Sequence, residues 1–532
     1  MPDIRFVCLS DVHFGAENSI LSRLVKDDHI VDTTRASPVL DRLIAALATL
    51  IEANEDKTRK PTLILNGDIL ELALASDNVA LAVFELFLDR IFPADGEPLF
   101  DDTILYQVGN HDHHLWETAR ELQYANVVRE FPAGTLLPIP WHATKLYYRE
   151  DTRPVHSELL ERVARRRSHR RRINIRVSYP NMGIRSADGR TSIVFHHGHF
   201  VEPLYHLMTT LRDFIFPGRP LPTEVWDIEA ENFAWIDFFW STLGRSGEVG
   251  EYVGLIYNML QSKEAIEKLA GNLAAGITNA WIKNGKLAPL RWPIRRILTR
   301  VAKTVASRIA ARERTNPQAA LSHDAENGLT AYLRGPLIKQ LVTEARHHDR
   351  RLPDQLKLVF GHTHKPFIGT RVVPGLAKPV RVFNTGGWVV DSLDVEPMYG
   401  ASVVLIDENL EVACVRLYNQ AADAADYRVR LDNGLPAEQG PFYRRLSILI
   451  QADDEVWKSL SAAAAELVTE RMKALARIIA DTGRTRPSKP STTPYAPMSI
   501  PRKPVKHRRG SDSGGSPGKR RSCQPKEVSR AT

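Results

Sequence analysis

The sequence predicts an α/β fold that is interrupted by a large helical insertion and followed by a disordered, basic tail. Short apolar runs alternate with helical spacing in the first third of the chain, which is typical of a layered fold with a largely parallel sheet. Similar apolar runs return after about residue 351. The last 50 residues combine eight prolines with few apolar side chains, and such a segment cannot bury a core.

The individual elements follow from the spacing of apolar residues. Spacings of three and four predict a helix at 38–54, a second helical stretch that follows the strand at 61–68 and runs to about residue 92, and a third near 453–480. The runs at 173–180 and 191–197 flank a turn signal at 186–189, so we predict that they pair as a hairpin. The remaining strands are predicted at residues 4–10, 61–68, 103–110, 356–362, 380–386, 401–407 and 411–418.

These elements predict a divided core with a helical block inside it. Residues 200–350 are mostly helical in pattern, with no alternation of strands, and this insertion is placed to act as a lid. The predicted organisation is a core in two parts at 1–199 and 351–420, the insertion at 200–350, a partly helical extension at 421–482 and the disordered tail at 483–532.

Charge and cysteine content indicate a cytoplasmic protein with a basic tail. The formal net charge is +8, but residues 483–532 hold 13 Lys and Arg against two acids, so the tail carries +11 and the rest −3. Three widely separated cysteines suggest a reducing compartment, with Cys8 and Cys414 as small core residues. No run of 18 apolar residues predicts a transmembrane segment, and the N-terminus does not read as a signal peptide.

Polar residues follow the predicted strands at five places. These are DVH (11–13), NGD (66–68), GNHD (109–112), HHGH (196–199) and GHTH (361–364). Ligands bind beyond the carboxyl ends of strands in such sheets, so these residues should converge at one edge. A single motif of this kind is more often a buried core histidine or a loop histidine in water. Five in this arrangement favour a site.

Carboxylate, amide and imidazole ligands together suit divalent Mn, Fe, Zn or Ni. One carboxylate can bridge two such ions about 3.5–4 Å apart, which would polarise a phosphoryl oxygen and lower the pKa of a bridging water. The sequence therefore predicts two divalent metal ions that hydrolyse a phosphate ester with a bridging hydroxide.

The five motifs, in this order, resemble those of the calcineurin-like metallophosphoesterase superfamily over residues 4–418, apart from the insertion. The resemblance implies an α/β/β/α sandwich and a binuclear phosphoric ester hydrolase. It also implies that His111 protonates or stabilises the leaving oxygen and that Asp112 orients His111. Implied ligands are Asp11, His13, Asp68 and His364 for one ion, and Asp68, Asn110, His197 and His362 for the other, with Asp68 bridging; His199 is the alternative to His197.

The segment NTGGW (384–388) is also similar to the bacterial branch that includes UDP-2,3-diacylglucosamine pyrophosphatases. That branch hydrolyses a lipid-linked pyrophosphate and often has a helical lid. The chain departs from it at His111, where that enzyme typically has arginine, and in its much larger insertion. Hydrolysis of a phosphomonoester or phosphodiester, of a lipid-linked or nucleotide pyrophosphate, and of nucleic acid remain alternatives, as does a scaffold without turnover.

Two further features have both a functional and a structural interpretation. Arginines at 165–172, among them Arg165, Arg166 and Arg170, either bind phosphates of a substrate or nucleic acid, or form a solvated helix end. The aromatic stretch at 233–240 either belongs to the core of the insertion or covers a substrate.

Basic segments suggest peripheral contacts. Residues 291–314 form a basic amphipathic stretch that either lies on an acidic membrane or packs on the protein. Basic residues of the tail either touch nucleic acid or acidic lipid, or stay in solvent. The expected location is the cytoplasm, with the membrane surface as an alternative.

Overall fold

Two mixed β-sheets with helices beside them form the described part of the chain. The structure is a computed structural model. Its strands and helices confirm the predicted α/β class. It describes residues 2–26, 28, 30–147, 154–166, 172–242, 319–346, 351–432, 440–452 and 454–482.

The larger sheet has eight strands in the order β13-β12-β11-β1-β2-β3-β5-β4. Its centre, β1-β2-β3-β5, is parallel, whereas β11, β12, β13 and β4 join antiparallel. Parallel strands align their carboxyl ends, so the motifs after β1, β2 and β3 lie at one edge. The strands are β1 Ile4–Leu9, β2 Thr62–Asn66, β3 Thr103–Gln107, β4 Val155–His156, β5 Asn174–Ser178, β11 Gly400–Asp407, β12 Val412–Asn419 and β13 Arg430–Asp432.

The smaller sheet has five strands in the order β6-β7-β8-β10-β9. The strands β7, β8 and β10 run parallel, and β6 and β9 are antiparallel to their neighbours at the two edges. The motifs after β7 and β8 therefore also meet at one edge. The strands are β6 Asn181–Arg185, β7 Thr191–His196, β8 Gln355–Phe360, β9 Phe367–Arg371 and β10 Val380–Asn384.

The predicted hairpin between 173–180 and 191–197 is wrong. The strand β5 pairs in parallel with β3 in the larger sheet, where Ile175 and Val177 are buried. The turn at 186–189 instead joins β7 to the five-residue strand β6. Pro180 has no N–H to donate to a ladder, and the chain passes from one sheet to the other around it. Periodicity did not show that two short strands, rather than one, precede the turn.

One apolar cluster contains side chains from both sheets. Cys8 and Ile64 come from the larger sheet, and Phe195 and Val359 come from the smaller one. Cys414 is in the same cluster, and both cysteines are free and buried as predicted. Burial of this apolar surface holds the two sheets against each other.

Helices pack beside the strands of both sheets and include the described ends of the insertion. The first helix begins where Ser37 caps Val39 N–H and Pro38 occupies the first turn, as helix starts favour. Residues 243–318, with the basic stretch at 291–314, lie outside the described residues, and so do Arg170 and the tail. The helices are α1 Pro38–Glu52, α2 Asp77–Ile91, α3 His114–Glu130, α4 Glu158–Arg165, α5 Leu207–Ile215, α6 Val225–Asp237, α7 His323–Tyr332, α8 Ile338–Arg346, α9 Pro441–Ala452 and α10 Asp454–Thr482.

A search of the described helices for membrane-spanning candidates finds none with both the length and the apolar character required.

The helix α6 is anchored through a buried acid whose charge opposes folding. Glu229 is buried, and Tyr179 Oη donates a hydrogen bond to Glu229 Oε2 at 2.7 Å. Burial raises the pKa of Glu229 from 4.5 to about 7. Because the pKa of Glu229 is raised, its protonated side chain contributes to stability. This contribution is complete below pH 4.5 and is lost as the pH rises through about 7.

The wild-type chain should therefore lose stability at neutral and alkaline pH, and Glu229→Gln should not show this loss. Relative to the variant, the wild-type free energy of unfolding should fall by on the order of 3 kcal/mol between pH 4.5 and 8. Urea unfolding at several pH values measures the difference. Glu231→Gln, which changes an acid of the same helix that pairs with Arg212 at 2.8 Å, is the control. Parallel stability curves for wild type and Glu229→Gln would contradict the prediction.

Candidate metal centre

The backbone is strained at five of the seven predicted metal ligands. Six non-glycine residues in the described part of the chain have positive φ, and the sixth is Leu410. Each such conformation costs roughly 1–3 kcal/mol, so it persists only where the surroundings enforce it, as at functional sites. The five ligands are Asp11 (51°), His13 (50°), Asp68 (50°), His362 (68°) and His364 (57°).

Hydrogen bonds between the motif loops hold these conformations. The backbone N–H of His362 donates to Asp11 Oδ1 at 2.8 Å, although 351 residues separate them. The N–H of His111 donates to Asp68 Oδ1 at 2.8 Å. The N–H of His13 donates to the Asp68 carbonyl at 2.9 Å. Asp68 thus keeps Oδ2 facing the site histidines, whereas Asp11 Oδ2 accepts a hydrogen bond from Ser10 Oγ at 2.5 Å.

Two motif glycines are required by close approach. A Cβ at Gly361 would lie 1.8 Å from Asp11 Oδ2, and one at Gly109 would lie 2.3 Å from Asp68 Oδ1. Neither distance is compatible with a side chain, so a substitution at either glycine would displace a carboxylate of the site.

The first group of candidate ligands comprises Asp11, His13 and His364, whose donor atoms lie within 4.8 Å of one another. His364 Nε2 is 3.4 Å from Asp11 Oδ1. His13 Nε2 is 3.7 Å from Asp68 Oδ2, so Asp68 borders this group. All four side chains are buried.

The second group comprises Asp68, His197 and His362. His197 Nε2 lies 3.2 Å from Asp68 Oδ2, 2.9 Å from Asn110 Oδ1 and 3.2 Å from His362 Nδ1. The structure therefore brings together all seven predicted ligands, with Asp68 between the two groups.

The charges of the site suit divalent cations. Burial alone would raise the pKa of Asp68, but the charges of His197 and His111 outweigh it and hold that pKa well below its usual range. Burial would lower the pKa of His197, but the charges of Asp68 and Asp11 raise it. Ionised buried carboxylates beside imidazoles are a donor set that exchanges protons for a metal ion. The buried groups could hold metal ions.

Glu71 contacts two of the site histidines and was not predicted. Its Oε1 lies 2.8 Å from His111 Nδ1, and its Oε2 lies 2.9 Å from His13 Nδ1. Burial would raise the pKa of Glu71, but the charge and hydrogen bond of His111, together with those of His13, lower it. A carboxylate on Nδ1 sets the tautomer of each ring and leaves Nε2 for the site.

Asp112 does not have the predicted position at the His111 ring. Its Oδ1 accepts a hydrogen bond from Gly109 N–H at 2.7 Å, and its Oδ2 accepts from Ile69 N–H and Tyr106 Oη. Burial and the nearby charge of Asp68 raise the pKa of Asp112 to about 6. In the structure, Glu71 contacts the His111 ring. Asp112 instead joins the GNHD loop to the loop that follows Asp68.

Two further carboxylates contact ligand histidines from outside the motifs. Asp391 Oδ2 is 2.5 Å from His364 Nδ1, and Glu202 Oε1 is 3.3 Å from His362 Nε2. Partners of this kind orient metal-binding imidazoles. Glu71 lies only three residues after Asp68, so it could have been considered as a site residue from the sequence. Asp391 and Glu202 are in no motif that we identified.

His199, Arg165 and Arg166 are members of neither ligand group, although the His199 ring lies 5.9 Å from that of His197. His199 is buried and stacks on Tyr179, with ring centroids 6.1 Å apart, while its neighbour His197 joins the second group. Arg165 pairs with Glu161 at 3.1 Å, and Arg166 pairs with Glu85 at 3.4 Å.

The start of the insertion borders the site. The Trp240 ring lies 5.4 Å from that of His111, and the Tyr205 ring lies 5.3 Å from that of His362. Ser241 Oγ donates to the Asn110 carbonyl at 3.0 Å. Trp240 is 4% exposed, whereas Phe238 in the same aromatic stretch is 52% exposed. The aromatic stretch therefore supplies part of the wall of the site.

No protein-family model matches the chain, and a search of curated proteins finds no match either.

Proposed function

We propose that this protein is a metal-dependent phosphoesterase of the calcineurin-like type, with the two sheets as the centre of an α/β/β/α sandwich. The observation that carries the proposal is the pair of buried ligand groups, one of which contains Asp68 while the other is bordered by it. Two divalent ions bound there would polarise the phosphoryl group and lower the pKa of an attacking water.

The chain's own residues would orient the substrate and move a proton. Glu71 accepts from His111 at Nδ1, which leaves the Nε2 side of the ring to donate a proton to the departing oxygen. The seven ligand side chains are at most 2% exposed, so water is largely excluded around the reacting atoms.

The aromatic wall favours a substrate with an apolar or aromatic group beside the phosphate. Tyr205 and Trp240 stack with ring centroids 5.6 Å apart, and they adjoin His362 and His111. Hydrolysis of a lipid-linked or nucleotide pyrophosphate is therefore the second candidate function. The phosphoester proposal covers both, because the same ligands would activate water in each.

A substrate panel tests the proposal. Purified chain loaded with Mn, Fe, Zn or Ni should hydrolyse at least one of nitrophenyl phosphate, bis-nitrophenyl phosphate, nucleotides and UDP-diacylglucosamine. A chelator should abolish the activity, and added metal should restore it. If no ester turns over with any of these metals, the proposal fails.

Trp240→Ala should change selectivity more than chemistry. Loss of the indole removes apolar contact with the larger substrate group, so KM for a lipid-bearing or nucleotide ester should rise about tenfold. Turnover of a small nitrophenyl ester should change less than about threefold. Phe238→Ala removes an exposed ring and is the matched control. Equal losses on both substrates, with a lower melting temperature, would assign Trp240 to the core alone.

A further inference from the structure

A second cavity lies between the loop after the DVH motif, the turn before β13 and the C-terminal helices. It has a volume of about 1390 Å³, and none of the seven predicted metal ligands lines it. Ligand sites typically enclose about 300–1,000 Å³, so the cavity has room for a sizeable small molecule. Its described lining residues lie within 23–26, 28, 35–38, 424–429, 450 and 457–474.

Positive charge predominates on these walls. Among the described lining residues, six cationic side chains stand against three acids, Asp28, Glu466 and Glu470, which leaves an excess of three positive charges. Arg35 already pairs with Asp32 outside the cavity lining, at 2.8 Å. The cationic residues are Arg23, Lys26, Arg35, Arg428, Lys458 and Lys473.

Three of these cations have no partner within the described chain. The side chains of Arg23, Lys26 and Lys473 form neither an ion pair nor a hydrogen bond with any described residue, and they come from two different walls. Where cations outnumber acids, the unpaired like charges repel one another, and an anion between them relieves that repulsion. The charge of the cavity therefore fits an anionic group.

The remaining described lining is largely apolar and includes the indole ring of Trp457, with Tyr427, Ser461 and Thr469 as its polar members. Leu24, Trp457 and Leu467 line the cavity and are buried in the core, and Val429 and Ile450 add apolar surface beside them. An inorganic anion would leave this surface unused, whereas an apolar or aromatic body would cover it.

We propose that this cavity binds a small amphipathic anion, in which a phosphate, sulfonate or carboxylate is joined to an apolar or aromatic body. The anionic group lies among Arg23, Lys26 and Lys473, and the apolar body lies against Leu24 and Trp457. The site is separate from the metal centre and does not depend on the proposed phosphoesterase activity.

Fluorescence titration of the full chain with anilinonaphthalene sulfonate tests the proposal. The probe carries one sulfonate on an aromatic body, and a chelator keeps metal ions out of the other site. The triple variant Arg23→Gln, Lys26→Gln, Lys473→Gln should weaken its affinity at least about tenfold. A control triple, Arg129→Gln, Arg190→Gln, Lys378→Gln, removes the same charge from exposed positions elsewhere and should stay within about twofold.

A neutral probe separates loss of the anion contact from loss of the fold. Phenylnaphthylamine lacks the sulfonate, so its affinity should be the same for wild type and for the cavity triple variant, and far-ultraviolet circular dichroism should be unchanged. Equal weakening of the anionic probe by both triple variants would overturn the proposal. So would the absence of saturable binding of that probe to the wild-type chain.

Discussion

If the proposed function is right, the Asp68→Asn variant is expected to lose most of the metal that the wild-type chain binds and about a thousandfold or more of the proposed phosphoesterase activity. Asp68 lies 3.7 Å from His13 Nε2 in one ligand group and 3.2 Å from His197 Nε2 in the other. A neutral amide provides one weaker oxygen donor where an ionised carboxylate would bind both ions, so both sites are weakened together. Elemental analysis gives metal per chain, and initial rates on bis-nitrophenyl phosphate give activity.

Asp407→Asn is the matched control. Asp407 is also a buried aspartate of the larger sheet, but it pairs with Ile4 at the opposite end of β1 from the metal ligands. Its variant should keep both metal ions and most of the activity. Two ions per chain in Asp68→Asn would exclude Asp68 as the bridging ligand.

The second large effect is expected at His111. His111→Ala should reduce turnover of alkyl phosphoesters by roughly a hundredfold to ten-thousandfold, because a poor leaving oxygen needs a proton as it departs. Nitrophenyl esters have a stable leaving group and should lose less than about tenfold. Metal content should change little, because the seven predicted ligands do not include His111, whose ring instead lies with His13 and Glu71 in a third buried group that could hold an ion. Steady-state rates over a series of leaving groups measure the dependence.

Glu71 and Asp112 provide a contrast within the same experiment. Glu71→Gln removes the charge at His111 Nδ1 and should give a smaller loss with the same dependence on the leaving group. Asp112 contacts the backbone of Gly109 and Ile69, so Asp112→Asn should lower stability and affect good and poor leaving groups alike. The reverse result would return Asp112 to the role that the resemblance implied and would remove Glu71 from it.

Local sequence was sufficient for the central strands and for the candidate ligands that follow them. Runs such as 4–9 and 62–66 are apolar because both faces of a central parallel strand are buried, and that pattern is visible without coordinates. The ligand motifs could be located for the same reason: each begins where an apolar run ends, and parallel strands bring those ends together. The candidate ligands could therefore be identified from the sequence alone.

Contacts between distant segments required the folded chain. Spacing alone does not show whether a strand pairs with its sequence neighbour, and the side chains of β5 are buried beside β3 instead of β7. The partners of the ligand histidines depend on side-chain direction: Asp391 reaches His364 from 27 residues away, and Glu202 reaches His362 from the insertion. Trp240 lies beside His111 because the segment after α6 packs on the GNHD loop, where Ser241 Oγ also donates to the Asn110 carbonyl. Packing sets these positions, and periodicity along the chain carries no information about them.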